Sequence, residues 1–360
     1  SDVCSSDLLA MHKVIKLLAC CFIFSSTFSH AAPEQVFAFD DDGVIWGFDF
    51  LDEKTLFVSQ RSGKLHLVDL ISNTSSVLIA PAVKAKGQGG LLDVKVIDIE
   101  GQKYLYATYS KRLKSKKITT ALARAVITID KPLVWQDLFV AKAESRGAKH
   151  FGSRLLFVED TIFMTIGDRG ERDLAQDLTV HNGKVLRLTL NGEAAAGNPF
   201  TNNSDALPEI WTLGHRNPQG IAYDQTADQI YVAEFGPRGG DEINAISAGK
   251  NYGWPLITYG KNYIGTSIGP SEREGLEQPL IYWNPSVSPS GVAFVDDGKN
   301  QSLLLACLSE RVIKKLIMDN GKVVDQQALF EEPKMRFRHV AQSPDKRIYF
   351  STDDGKIYRL

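Results

Sequence analysis

Thr55-Leu56-Phe57-Val58, followed by Lys64-Leu65-His66-Leu67-Val68, is the stretch whose recurrence decides the fold. Two short β-prone runs separated by a polar turn read as a hairpin. The first run returns as Tyr104-Leu105-Tyr106-Ala107, Ile162-Phe163-Met164-Thr165, Gln229-Ile230-Tyr231-Val232, Ser302-Leu303-Leu304-Leu305 and Arg347-Ile348-Tyr349-Phe350. The second returns as Ala125-Val126-Ile127-Thr128, Lys184-Val185-Leu186-Arg187-Leu188, Glu242-Ile243-Asn244-Ala245-Ile246, Val312-Ile313-Lys314-Lys315-Leu316 and Lys356-Ile357-Tyr358-Arg359-Leu360. An apolar strand precedes each pair. The spacing is about 40–70 residues, the scale of propeller and solenoid repeats. Helical periodicity is almost absent, and Gly, Asp, Asn and Pro turns recur. An α/β chain would need amphipathic helices between the strands. The pattern predicts an all-β fold, a six-bladed β-propeller of four-stranded antiparallel sheets.

The last repeat ends at Leu360 after three strands, and Gln35-Val36-Phe37-Ala38-Phe39 is an unassigned β-prone segment. That segment is expected to supply the missing outer strand, which removes a free sheet edge.

The chain has 360 residues, 43% hydrophobic and 23% charged, an ordinary globular composition. Its formal net charge of -2 argues against a general nucleic-acid binder, which needs a basic face. Residues 1–10 precede Met11 and read as an upstream translation artefact. Residues 11–31 read as a signal peptide: a basic start, an apolar core from Leu17 to Phe28, and small residues ending at Ala31. Leu17-Leu18-Ala19-Cys20 loosely resembles a lipoprotein site, with a short apolar run before it. Cleavage near Ala31 leaves 32–360 as one propeller domain, periplasmic or secreted, with no membrane span. Of the four cysteines only Cys307 remains, so no intrachain disulfide is expected. In the apolar run Leu303–Leu308 it reads as a small buried hydrophobe.

Several loops carry more polar chemistry than turns require. Gly214-His215-Arg216-Asn217-Pro218-Gln219-Gly220 packs hydrogen-bonding side chains at the mouth of a strand. Gly87-Gln88-Gly89-Gly90 lets a backbone approach something closely, or is a plain turn. Lys149-His150-Phe151-Gly152-Ser153-Arg154 places a histidine at a strand entrance, as a general base or a packed residue. The charges of Gly167-Asp168-Arg169-Gly170-Glu171-Arg172-Asp173 read as structural, pairing with one another or fixing a long loop. Glu234-Phe235-Gly236-Pro237-Arg238-Gly239-Gly240-Asp241-Glu242 offers oxygen ligands of the kind calcium takes. In Arg336-Phe337-Arg338, strand alternation puts both guanidiniums on one face, where they repel unless an anion sits between them. All but the charged loop are expected beside first strands of repeats, which line a propeller's central channel.

This combination resembles the soluble PQQ-dependent glucose and aldose sugar dehydrogenases, from about Gly43 to Leu360. It is carried by Gly87–Asp93, His150-Phe151-Gly152, Gly167–Gly170, Leu213–Gly220, Gly236–Asn244, Asn251-Tyr252-Gly253-Trp254-Pro255 and Pro289-Ser290-Gly291. Loop lengths and Tyr259-Gly260-Lys261-Asn262-Tyr263 look more like the aldose sugar enzymes. The resemblance implies oxidation of an aldose at its C1 hydroxyl to the lactone, with hydride to PQQ and electrons to an external acceptor. His150 would be the base and Arg216 would stabilise developing negative charge. Gln88, Asn217, Arg336 and Arg338 would hold PQQ, and the Gly236 and Pro237 carbonyls a Ca²⁺. The glucose enzyme's cofactor lysine matches Ser309, with Arg311 the nearest cation to replace it. Lys149 and His339 stand where that enzyme has aspartates. The alternatives are a non-catalytic extracellular binding propeller and a calcium-dependent propeller hydrolase, which would want several carboxylates in the channel.

Overall fold

In the computed structural model, which describes residues 32–41, 43–128, 130–296, 298 and 300–360, the recurring pairs form the second and third strands of six four-stranded sheets. The proposed artefact and signal peptide lie outside the described residues. Blade 1 contains Ile45–Phe50, Thr55–Gln60, Leu65–Asp69 and Thr74–Leu78. Blade 2 contains Leu91–Ile99, Gln102–Arg112, Ile118–Val126 and Gln136–Val140. Blade 3 contains Leu155–Val158, Thr161–Ile166, Lys184–Thr189 and Ile210–Leu213. Blade 4 contains Pro218–Asp224, Gln229–Glu234, Asp241–Ile246 and Ile281–Trp283. Blade 5 contains Pro289–Asp296, Gln301–Cys307, Ile313–Asp319 and Lys322–Leu329. Blade 6 contains Phe337–Gln342, Ile348–Thr352 and Lys356–Arg359, and Glu34–Ala38 completes it. The predicted six-bladed propeller is observed. No described helix is long and apolar enough to cross a membrane.

Local sequence explains the turns. Asp52 Oδ1 accepts the N–H groups of Lys54 and Thr55, each at 2.9 Å, and Asp224 Oδ1 accepts those of Thr226 and Ala227. A short acceptor that bonds the backbone two and three residues on favours a reversal at those points.

The blades are held by apolar clusters that straddle neighbours. Phe57 and Leu65 of blade 1 meet Leu105 and Tyr109 of blade 2. Tyr231 of blade 4 meets Leu305 and Leu316 of blade 5. Cys307 belongs to that cluster, and burial pushes its thiol pKa up. The ring closes through Phe37, which packs with Phe48, Tyr349 and Ile357. The segment Glu34–Ala38 pairs antiparallel with Lys356–Arg359, as the sequence predicts.

Five of the six inner strands, all but that of blade 3, share a feature that sequence reading did not anticipate. In blade 1 Ile45 pairs with Gln60 and Gly47 with Ser59, which leaves Trp46 as an extra residue. Gln219 is skipped in the same way in blade 4, Ser290 in blade 5 and Arg338 in blade 6. In blade 2 the register shifts between Leu91 and Val94, around Asp93. Such a bulge re-aims a side chain out of the ladder. Gly47 follows the first bulge because a Cβ there would lie 2.6 Å from Asp93 Oδ1.

Arg154, just before the inner strand of blade 3, binds this ring together. Its Nε donates to Gln219 O at 2.8 Å, and Nη2 to Ser290 O at 2.6 Å and Arg338 O at 3.3 Å. Its Nη1 meets Asp93 Oδ1 at 3.1 Å, and both residues are buried.

Deleting residues 33–40 removes the closing strand and the buried Phe37. The melting temperature should fall by about 5 °C or more, since burial of one large apolar side chain alone is worth ~1.5–3 kcal/mol. An unchanged melting curve would contradict closure by this strand.

Candidate active site

At one end of the channel is a cavity of about 1060 Å³. Gln88, His150, Arg216, Asn217, Arg336 and Arg338 all line it, and so do Gly236 and Pro237. Gly236-Pro237 do not lie beside a first strand, as expected, but between the second and third strands of blade 4. They still reach the cavity, because in an antiparallel meander the start of strand one and the strand two to three turn share an end. Arg311 corrects the expectation for a replacement cation. It is exposed in a turn with φ of 64° and does not line the cavity, whereas Ser309 does. The Ser309 hydroxyl donates to Ser286 O at 2.9 Å.

His150 is held in an uncommon backbone conformation, with φ of 54°. Its N–H donates to Gln88 Oε1 at 2.7 Å. Gly167 permits this path, since a Cβ there would lie 2.1 Å from His150 O. Arg169 clamps the loop from behind: Nη1 donates to Lys149 O, and Nη2 to Gly147 O at 3.1 Å. The Arg169 guanidinium also stacks on Phe151, 3.4 Å from the ring centre. Lys149 itself is exposed, and its side chain lies against Gly170.

The charged loop read as structural supplies the residue that sequence reasoning missed. Asp168 is 1% exposed, and its Oδ1 lies 2.6 Å from His150 Nδ1. Trp254 Nε1 donates to Asp168 Oδ2 at 2.9 Å, and the Gly170 N–H to Oδ1 at 2.6 Å. Burial alone would raise this carboxyl, but the hydrogen bonds of His150 and Gly170 and the charge of Arg216 hold it below its usual pKa. His150 shifts downward as well. Burial is the main cause, Arg216 and Lys149 add to it, and Asp168 opposes them. The downward shift favours the neutral imidazole, and the Asp168 carboxylate, which can only accept, favours its proton on Nδ1. Nε2, with no hydrogen-bond partner among the described residues, is the basic atom.

Arg216 is equally fixed. Its backbone N–H donates to Glu234 Oε2 at 2.7 Å. Its Nη1 donates to Phe235 O at 3.1 Å and Gly236 O at 2.7 Å, and Nη2 to Tyr263 OH at 3.2 Å. His215 is a brace: it contacts Glu234 at 3.0 Å and Thr212 at 2.9 Å and stacks on Tyr252. Asn217 Oδ1 accepts the Gly152 N–H at 3.3 Å, which ties this wall to the histidine loop.

The opposite wall carries Arg336 and Arg338. The anion between them is the protein's own Asp353, 3.0 Å from Arg336 Nε and 2.8 Å from Arg338 Nε. Phe337 packs into the core, but regular alternation is not what aims the arginines: Arg336 precedes the strand and Arg338 is the bulge residue. His339 is also turned from the cavity, buried edge-on against Phe48. The bulge residue Trp46 lies under Arg338, 4.9 Å from the guanidinium.

No Asp or Glu is among the described residues that line this cavity, while both walls are cationic. Gln219 also lines it, and its buried Oε1 has no partner. These features suit a large polar group with several negative charges. They suit a calcium ion less completely. No cluster of three or more His, Cys, Asp or Glu among the described residues is placed to hold a metal. Backbone carbonyls remain, and that of Gly236 already accepts from Arg216.

The glucose/sorbosone dehydrogenase family model matches residues 43–359. The chain belongs to that family. It is 35% identical over 323 residues to aldose sugar dehydrogenase YliI of Escherichia coli K12, covering 86% of this chain and 87% of that protein. A crystal structure of a glucose dehydrogenase superposes with a TM-score of 0.87 at 34% identity, over 91% of this chain and 99% of the other. The PQQ-bound aldose sugar dehydrogenase of Streptomyces coelicolor gives 0.77 at 27% identity, over 90% and 95%. These relatives are sugar dehydrogenases built on the same propeller.

The His150–Asp168 pair gives a pH prediction. NMR titration of the imidazole should find its pKa below the ordinary value near 6.5. Because Asp168 opposes that shift, Asp168→Asn should move it lower still. A value that rises or stays constant in the variant would show that Asp168 does not act on His150.

Proposed function

We propose that the protein is a PQQ-dependent aldose sugar dehydrogenase that oxidises the C1 hydroxyl of a cyclic aldose to the lactone. The observation that carries this reading is His150, held through Nδ1 by the buried Asp168 carboxylate and facing a cavity with cationic walls. When bound, PQQ would supply a quinone that accepts the C1 hydride. His150 Nε2 takes the proton from the C1 hydroxyl, and Asp168 stabilises the imidazolium that results. Arg216, already immobilised by two carbonyls and Tyr263, presents fixed positive charge where negative charge develops. Arg336 and Arg338 would meet the cofactor's carboxylates, with Gln88 and Asn217 completing its cradle. The Gly236 and Pro237 carbonyls would offer oxygen ligands to a Ca²⁺, the former shared with Arg216, and that ion would supply Lewis-acid polarisation. The electrons then leave to an external acceptor, in the periplasm or outside the cell if the leader is cleaved near Ala31.

The test is to add PQQ and Ca²⁺ to purified apoprotein and follow dye reduction with a panel of aldoses. Cofactor-induced absorbance and sugar-dependent reduction are expected. His150→Ala should keep PQQ bound and lose about 10²–10⁴-fold in turnover. Absence of both cofactor uptake and dye reduction would favour a binding propeller instead.

A further inference from the structure

The cations of the cavity fall into two groups. Arg61, Arg336 and Arg338 belong to one wall: Arg336 and Arg338 share Asp353, and the charge of Arg61 acts on Arg338. In the proposed function this group faces the cofactor's carboxylates. Arg238 and Lys261 form a second group at the rim by blade 4, and both line the cavity.

Both side chains are exposed at that rim. Arg238 and Lys261 face each other across an antiparallel bridge, with the Lys261 N–H on Arg238 O at 3.3 Å. Like charges directly opposite one another destabilise such a pair. Neither has a carboxylate partner among the described residues, and the only hydrogen bond from the Arg238 guanidinium goes to Tyr263 O at 3.3 Å. Tyr263 places this pair beside the reacting centre, since its hydroxyl accepts from Arg216 Nη2. An anion between Arg238 and Lys261 would meet two cations that no carboxylate of the described residues pairs with. A guanidinium beside an ammonium suits a carboxylate or a phosphate.

We infer that the preferred aldose is itself anionic, carrying a carboxylate or phosphate remote from C1 that Arg238 and Lys261 receive. The inference rests on the sugar dehydrogenase reading and adds the substrate class to it.

The test uses protein reconstituted with PQQ and Ca²⁺. We compare kcat/KM for glucuronate, glucose 6-phosphate and glucose, at about 0.01 M and about 1 M salt. At least one anionic sugar should exceed glucose by about tenfold at low salt, and which one does so separates carboxylate from phosphate. The advantage should shrink toward unity in Arg238→Gln/Lys261→Gln, and at high salt, where exposed charges are screened. If glucose is used as well as both anionic sugars, or if the double variant keeps the advantage, the inference is overturned. If no sugar is oxidised, the dehydrogenase reading fails, and calorimetric titration with glucuronate and glucose 6-phosphate decides the rim separately. Binding that weakens about tenfold in the double variant supports the anion site. Binding that is absent, or equal in both proteins, removes it.

Discussion

The site depends on one buried side chain. Arg154 reaches across the channel to the carbonyls of Gln219, Ser290 and Arg338 and to the carboxylate of Asp93. These partners lie on the inner strands of blades 4, 5, 6 and 2. Three are bulge residues, and two of them, Gln219 and Arg338, face the cavity. Bulged backbone leaves carbonyls without ladder partners, and a buried carbonyl without a partner is costly. The guanidinium satisfies three of them at once, because its donors form a rigid planar fork. Asp93 compensates the buried charge and also accepts the Leu155 N–H at 2.9 Å. The cavity floor is therefore a polar hub, while apolar contacts between blades hold the ring outside it.

Above that floor, the chemistry is organised by a second network. Asp168 connects His150, Trp254 and Gly170, and its own N–H donates to Arg216 O at 2.8 Å. The base and the stabilising arginine thus share a mount. A common mount fixes their relative position, which matters because catalytic groups must be held to within a fraction of an ångström. The same linkage reaches the rim through Tyr263, so the loop that carries Lys261 is mechanically joined to Arg216.

Much of this was legible in the sequence. Strand pairs with short polar turns are local, and their recurrence alone indicated blades. The closing segment around Phe37 was legible by subtraction, because the last repeat lacked a strand. Polar loops at strand entrances pointed to Gln88, His150, Arg216 and Arg338. The bulges were not legible, because a bulge is a register event between two strands and leaves no composition signal at Trp46 or Ser290. Arg154 stood in a quoted motif, but its partners lie 61 to 184 residues away in the chain. Asp168 was misread because alternating charges usually remain solvated. Here Trp254, 86 residues further on, covers it. Arg311 failed for the opposite reason: nearness in sequence to Ser309 did not survive a turn that sends the side chain to solvent.

The central claim is that C1 of an aldose is oxidised in this cavity, with His150 as the base. The most direct measurement is anaerobic single-turnover reduction of the PQQ- and Ca²⁺-loaded protein by aldose deuterated at C1, followed by absorbance. A primary isotope effect on the reduction phase is expected, together with a large fall in its rate in His150→Ala. Reduction at the same rate with protiated and deuterated sugar, undiminished in His150→Ala, would contradict it.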